Sequence, residues 1–177
     1  MKDSSENFVS DIHTTNYLDE YLKSPLDARS LINSTGRTYE SLNGKWNFIP
    51  DWYDTCRRAK WYTEKKLDDR GVPMPLDWDW EAWDRIEVPS CWNTEQESLH
   101  YFEGTGLYTR TFRYLKAKAD ERVFIRFEGV QYQCSVFING LHVGTHNGGS
   151  TPFCAEVGQL LHEDNRIIVA VDACRNN

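Results

Sequence analysis

The feature that most constrains the fold is a series of short segments in which apolar and polar residues alternate. In residues 122–128, Val123, Ile125 and Phe127 alternate with charged neighbours, which predicts a strand with one buried face and one face in water. Asn139-Gly140 then follows a second alternating run and indicates a hairpin, because both turn positions need a positive φ. Strands spaced roughly ten residues apart are typical of an antiparallel sandwich or barrel.

The remaining segments extend this pattern without strand–helix alternation, so a parallel sheet is not expected. A short helix is predicted around residues 59–67 and a loop over residues 90–106. Pro89 makes the preceding run an edge strand. We expect an irregular N-terminal arm over residues 1–40 and one β-sandwich over residues 41–177. The further strands are predicted at residues 44–49, 85–88, 107–114, 133–138, 141–143 and 165–171.

The composition restricts the classes of function that this chain can have. The chain has 177 residues, which suits one domain, and a net charge of −7, which disfavours nucleic-acid binding. No run of 18 apolar residues is present, so we expect no membrane span. Seven Trp, nine Tyr and eight Phe supply flat apolar faces of the kind that sugar-binding proteins use.

The five cysteines bear on the compartment. Their odd number and the absence of a Cys-x-x-Cys pair argue against a disulfide framework and against a zinc site. We expect reduced thiols and no metal. Because the N-terminal residues lack the apolar core of a secretory signal, we expect a cytoplasmic protein, with a removed signal as the alternative.

Candidate chemistry is sparse. Residues 77–84 combine four acids with Trp78, Trp80 and Trp83. They could supply a carboxylate pair or sugar-stacking rings, but we favour a loop whose rings pack on the sandwich while its acids stay solvated. His142 and His146 have the spacing of metal ligands only on a helix, and Gly144 between them disfavours a helix. No catalytic constellation, metal site or cofactor motif is predicted.

Five blocks stand out in order along the chain: LNGKWNF at 42–48, VPSCWN at 88–93, YFEGTGLYTRTF at 101–112, RFEGV and VFING at 126–130 and 136–140, and HNGGSTPF at 146–153. Together they resemble the N-terminal domain of family 2 glycoside hydrolases, the β-galactosidase and β-glucuronidase family. Ser90 and Cys91 depart mildly from the family's Val-Pro-Gly pattern.

This resemblance implies a jelly-roll sandwich of the galactose-binding-domain type, in agreement with the predicted strands. It implies a retaining β-glycosidase parent whose two catalytic glutamates lie on a downstream TIM barrel, beyond an immunoglobulin-like domain. These domains are the expected partners, with a carbohydrate substrate. The resemblance is also compatible with a parent protein that forms a homo-oligomer. No catalytic residue can be carried over to this chain, which we expect to be inactive alone.

By position in the family, the loop around residues 101–105 is the candidate sugar contact, with Tyr101, Glu103 and Thr105 as its residues. Three interpretations stay open: a non-catalytic glycosidase domain, a free-standing carbohydrate-binding module, and a purely structural or interface domain. Because the sequence stops directly after a predicted strand, we expect it to be part of a longer protein, with the natural end of a small protein as the alternative. Galactoside and glucuronide specificity are equally compatible with these residues.

Overall fold

The computed structural model describes Leu26, Asn33 and residues 35–63, 66–68, 70–74, 76, 78–116, 118 and 120–174. Ten strands lie within these residues. They are β1 Gly44–Asp51, β2 Lys66–Leu67, β3 Pro73–Met74, β4 Asp84–Val88, β5 Thr105–Arg113, β6 Phe124–Phe127, β7 Gln133–Ile138, β8 Leu141–Asn147, β9 Phe153–Glu156 and β10 Asp164–Asp172. Two helices of one turn are also present, α1 Cys56–Ala59 and α2 Trp92–Glu95, with 3-10 turns at Trp80–Ala82 and Glu97–Leu99.

A six-stranded sheet in the order β4-β1-β5-β10-β7-β8 forms the centre of the domain. All of its pairings are antiparallel. Strand β5 is central and pairs with both β1 and β10, so Phe48 and Val169 both lie opposite Tyr108. This arrangement confirms the predicted all-β antiparallel sandwich.

The front face of this sheet is covered by a second sheet made of β6 and β9. Alternating residues of β7 and β10 point into the core between the two sheets, as the period of two requires. Phe127 stacks on Phe153 across the β6–β9 pair, with ring centres 4.8 Å apart. The fully buried members of this core include Phe48, Val136, Ile138, Phe153 and Ile167.

The back face of the six-stranded sheet is also buried. Residues from the long β1–β4 connection cover Phe137, Ile168 and Ala170 there. The Tyr62 ring stacks on Phe137 at 4.0 Å, and Trp83 is 9% exposed. The central sheet is therefore the middle of three layers, which explains why β7 and β10 are apolar on both faces.

The predicted hairpin is present between β7 and β8. Asn139 has φ 51° and Gly140 has φ 78°, so both turn residues occupy the left-handed region as expected. The predicted edge strand before Pro89 is β4, at one edge of the sheet.

Two local predictions were inaccurate. The helix expected around residues 59–67 lies at Cys56–Ala59, because Asp51 accepts the amides of Thr55 and Cys56 at its start and Lys60 ends it with φ 56°. The expected loop 90–106 contains α2 and a 3-10 turn, and β5 already begins at Thr105.

The arm predicted over residues 1–40 falls mostly outside the described residues, and its boundary stays a prediction. Residues 35–40 contain neither helix nor strand. Among the described residues, no helix has the length and apolar character needed to cross a membrane.

Candidate substrate-contact loop

The loop that carries the three candidate residues runs from the Glu97–Leu99 turn into β5. The Tyr101 side chain is 91% exposed, and Glu103 is also exposed. Thr105 is 4% exposed and its hydroxyl contacts Asp54 Oδ1 at 3.3 Å. Tyr101 and Glu103 are therefore available to a ligand, whereas Thr105 anchors the loop to the β1–α1 turn. A sugar contact by any of the three stays a prediction.

Asn93 holds this loop in place. Its amide nitrogen donates to the carbonyl of Leu99 at 2.6 Å and to that of Phe102 at 3.0 Å, with a longer contact to His100 at 3.3 Å. The indole nitrogen of Trp92 donates to the same Phe102 carbonyl at 3.3 Å. The Leu99 carbonyl also accepts from the Phe102 amide at 2.9 Å, so Asn93 adds a second donor to each of these carbonyls and ties the loop to α2. In the sequence, Asn93 stands out only as the last residue of the block at 88–93, and no local pattern indicates this role.

Phe102 fixes the loop from the other side. It is 6% exposed and lies against Trp92, with ring centres 5.8 Å apart. Trp52, in the neighbouring turn after β1, meets the Phe102 ring edge-on at 4.5 Å. Trp52 remains 58% exposed and Tyr53 86% exposed, so aromatic rings from two loops reach the surface near Tyr101.

The end of β10 lies beside the same loop. The amide of Ala173 donates to the Gly104 carbonyl at 3.0 Å. Partial burial raises the pKa of the Cys174 thiol, and the hydrogen bond to Asp172 and the negative charges of Asp172, Glu103 and Asp54 raise it further. This end of the sandwich therefore combines exposed aromatic rings with several carboxylates.

The acidic Trp-rich segment has a packing role. The guanidinium of Arg166 lies over the Trp80 ring, and Trp83 is buried against the back of the sheet. Asp79, Glu81 and Asp84 are exposed, while Asp77 lies outside the described residues. The structure thus agrees with the favoured interpretation of this segment, a loop whose rings pack on the sandwich while its acids stay exposed; Glu81 also pairs with Arg166.

His142 and His146 do not form a metal pair. A register shift between Val136 and Phe137 interrupts the β7–β8 ladder opposite them. His142 consequently lies against Phe137 on the back face, and His146 stacks on Phe153 at 4.1 Å in the front core.

One group of described residues brings possible metal ligands within 4.8 Å of one another: Asp51, Asp54 and Cys56. The Asp51 carboxylate already accepts hydrogen bonds from Cys56 and Thr55. Burial raises the pKa of the Cys56 thiol, and the hydrogen bond to Asp51 raises it further. Because a metal needs the thiolate, this group is better described as the cap of α1.

Comparison with known families gives one match over most of the chain. Residues 39–176 match the family described as glycosyl hydrolases family 2, sugar binding domain. This confirms the resemblance carried by the five sequence blocks.

Curated relatives of this chain include β-glucuronidases. The pig (Sus scrofa) protein is 28% identical over 151 residues, which is 78% of this chain and 22% of that protein. The Bacteroides fragilis protein is 32% identical over 90 residues, or 48% of this chain and 13% of that protein. The chain therefore spans less than a quarter of the length of these relatives.

Solved structures agree with the architecture. A β-glucuronidase from an uncultured Clostridium sp. has 30% sequence identity and a TM-score of 0.63 over 80% of this chain and 23% of its own. A Ruminococcus gnavus β-glucuronidase in complex with D-glucaro 1,5-lactone has a TM-score of 0.66 over 82% of this chain and 23% of its own. At 20% identity, the second likeness shows the fold alone.

Proposed function

Because this chain belongs to glycosyl hydrolase family 2 through its sugar binding domain, we propose that it serves as the non-catalytic N-terminal domain of a retaining β-glycosidase. The family match over residues 39–176 carries the proposal. In this role the sandwich packs on a downstream TIM barrel, after an immunoglobulin-like domain. The reaction is hydrolysis of a β-glycosidic bond by two glutamates of that barrel.

Within this proposal, the substrate is a β-glucuronide rather than a β-galactoside. The supporting observation is that relatives from a mammal and from a bacterium are both named β-glucuronidases. Tyr101 and Glu103 are the residues proposed to approach the substrate, since both are exposed on a loop whose backbone is fixed by Asn93 and Phe102.

The first experiment compares the 177-residue chain with the full-length protein from the same gene. We expect 4-nitrophenyl β-glucuronide to be hydrolysed by the full-length protein and not by the chain alone. The gene beyond codon 177 should encode the two further domains. A stop codon at that point, or turnover by the chain alone, would refute the proposal.

The second experiment tests the loop in the full-length protein. We expect Tyr101→Ala and Glu103→Gln to raise KM for the glucuronide by about threefold or more, because they remove contacts made by bound substrate. Tyr39→Ala is the matched control, since Tyr39 is 84% exposed outside the loop. Unchanged KM in both loop variants would leave the domain with a packing role only.

A free-standing carbohydrate-binding module is the second candidate function. It is favoured by the exposed rings of Trp52, Tyr53 and Tyr101. Titration of the chain with glucuronate and galactose, followed by Trp fluorescence, distinguishes the two functions. We expect no saturable binding below about 1 mM, and tighter binding would favour the module.

We also propose a cytoplasmic location. The supporting observation is that all five cysteines are free and that Cys56, Cys134 and Cys154 are buried as small apolar side chains. Cell fractionation with immunodetection tests this, and recovery of the protein from the periplasm or the medium would contradict it.

A further inference from the structure

The two edges of the six-stranded sheet are protected to different degrees. Edge strand β4 carries Asp84, Arg85 and Glu87, all exposed, and Pro89 follows it. Charges and proline are the usual means by which an edge avoids pairing with another chain. Edge strand β8 has the sequence LHVGTHN, without charge or proline. Nothing in its own sequence protects this second edge.

Even so, the middle of β8 is buried. Thr145 and His146 are each 5% exposed, although an edge strand normally presents one row of polar backbone groups to water. Leu26, from the N-terminal region, provides the cover. Its amide donates to the Thr145 carbonyl at 2.7 Å.

The carbonyl of Leu26 is bound as well. His146 Nδ1 lies 2.6 Å from this oxygen and must donate the proton, since a carbonyl only accepts. His146 Nε2 is then the acceptor for the Thr151 hydroxyl, 3.2 Å away. The imidazole is also stacked on Phe153 at 4.1 Å, so its orientation is fixed from three sides.

The side chain of Leu26 completes the contact by packing against the front core. One residue thus has its amide, its carbonyl and its side chain bound at one place on β8. Peptide recognition at a sheet edge likewise combines main-chain hydrogen bonds with a side-chain contact. Here one main-chain bond, from Leu26 to Thr145, is joined by a bond from the His146 side chain.

We propose that the β8 edge at Thr145 and His146, with His146 as its fixed donor, is a binding site for a leucine-containing peptide, and that Leu26 of this chain is its occupant. The site differs from the Tyr101 loop and does not depend on the proposed glycosidase function. Its occupation in cis protects an edge that would otherwise be open to another chain.

The first test uses the full chain and limited trypsin digestion, because Lys23 and Arg29 flank Leu26. Leu26→Pro removes the amide donor, and Leu26→Gly keeps the donor but removes the side chain. We expect cleavage at Lys23 and Arg29 to be at least about fivefold faster in both variants, because each loses a contact that holds residue 26 on β8. Leu115→Gly, at a leucine that is 69% exposed, should leave the rate unchanged.

The second test supplies the ligand in trans. A fluorescein-labelled synthetic peptide of residues 20–32 is added to the 177-residue Leu26→Pro variant, and fluorescence anisotropy is followed. We expect saturable binding, at least about tenfold weaker for the same peptide with glycine at position 26. The wild-type chain should bind the peptide at least about tenfold more weakly than the variant, because its site is filled.

Two results would overturn the proposal. One is equal trypsin cleavage of the wild-type chain and of Leu26→Gly at Lys23 and Arg29. The other is a peptide that binds equally well with leucine or glycine at position 26. Circular dichroism checks that the Leu26→Pro variant is folded. The leucine and glycine peptides are then compared on the same folded protein, so a lower stability of this variant does not affect the comparison.

Discussion

The guanidinium of Arg166 lies 4.3 Å from the centre of the Trp80 ring, and its Nη2 atom donates to Glu81 Oε1 at 2.9 Å. Arg166 belongs to β10 in the central sheet, whereas Trp80 and Glu81 belong to the β1–β4 connection that covers it. The Arg166 side chain is 16% exposed, so this contact is partly shielded from water. It joins the covering segment to the sheet at one residue.

Replacing Arg166 by leucine should therefore loosen the back layer. We expect the free energy of unfolding to fall by roughly 1–3 kcal/mol, because the variant loses the cation–π contact and the ion pair together. Urea denaturation followed by Trp fluorescence measures this. Arg113→Leu is the control, since the Arg113 side chain is 68% exposed in its ion pair, and its cost should stay within about 0.5 kcal/mol.

The stability of the fold should fall even when the side-chain amide of Asn93 alone is replaced by a carboxylate. Asn93→Asp replaces the amide donor by an acceptor that faces the Leu99 and Phe102 carbonyls. We expect the free energy of unfolding in urea to fall by roughly 1–3 kcal/mol, because the new carboxylate oxygen cannot donate to the two carbonyls and is repelled by them. Thr94→Ala, next in sequence, removes an exposed hydroxyl contact to Cys91 and should cost much less. Equal costs in the two variants would contradict the role given to Asn93.

The cap formed by Asp51 predicts a pH dependence. Burial opposes ionisation of Asp51, but the hydrogen bonds from Cys56 and Thr55 outweigh it, so the pKa of this carboxyl lies below its ordinary value. A lowered folded-state pKa stabilises the fold at pH values above the unfolded-state pKa of about 3.9, and this contribution is lost as the pH falls through the folded value. The stability difference between wild type and Asp51→Asn should thus be constant from about pH 5 to 7 and shrink below about pH 4.

Thiol labelling should divide the cysteines into two classes. Cys91 and Cys174 are exposed, and Cys56, Cys134 and Cys154 are buried. We expect an aromatic disulfide reagent to label two thiols in the folded protein and five after unfolding in urea. Because the pKa of Cys174 is raised, its labelling should need a more alkaline pH than that of an unperturbed thiol. In the Cys174→Ser variant, the more slowly labelled of the two thiols should be missing.

The sequence predicts those parts of the fold that depend on residues close together in the chain, and not those that depend on distant residues. The hairpin at Asn139-Gly140 was predictable because its geometry depends on two adjacent residues. The apolar faces of β7 and β10 were predictable from a period of two. The back layer was not, because it depends on which distant rings, such as Tyr62, meet the sheet at Phe137.

The candidate site shows the same limit. Position within a motif identified residues 101–105, but not that Thr105 is buried at the start of β5 while Tyr101 is exposed. The contacts that hold the loop join residues far apart in the sequence, such as Thr105 with Asp54 and Gly104 with Ala173. The contact of Leu26 with His146 spans 120 positions, and no local pattern indicates it.

The burial of both faces of the central sheet also determines how a larger protein can be assembled around this domain. A neighbouring domain cannot lie directly on the sheet, because aromatic side chains of the β1–β4 connection occupy one face and the β6–β9 pair occupies the other. It can approach only through the outer layers, the edges or the loops at the strand ends. Changes in partner preference during evolution can therefore accumulate in those loops while the strands keep their sequence pattern.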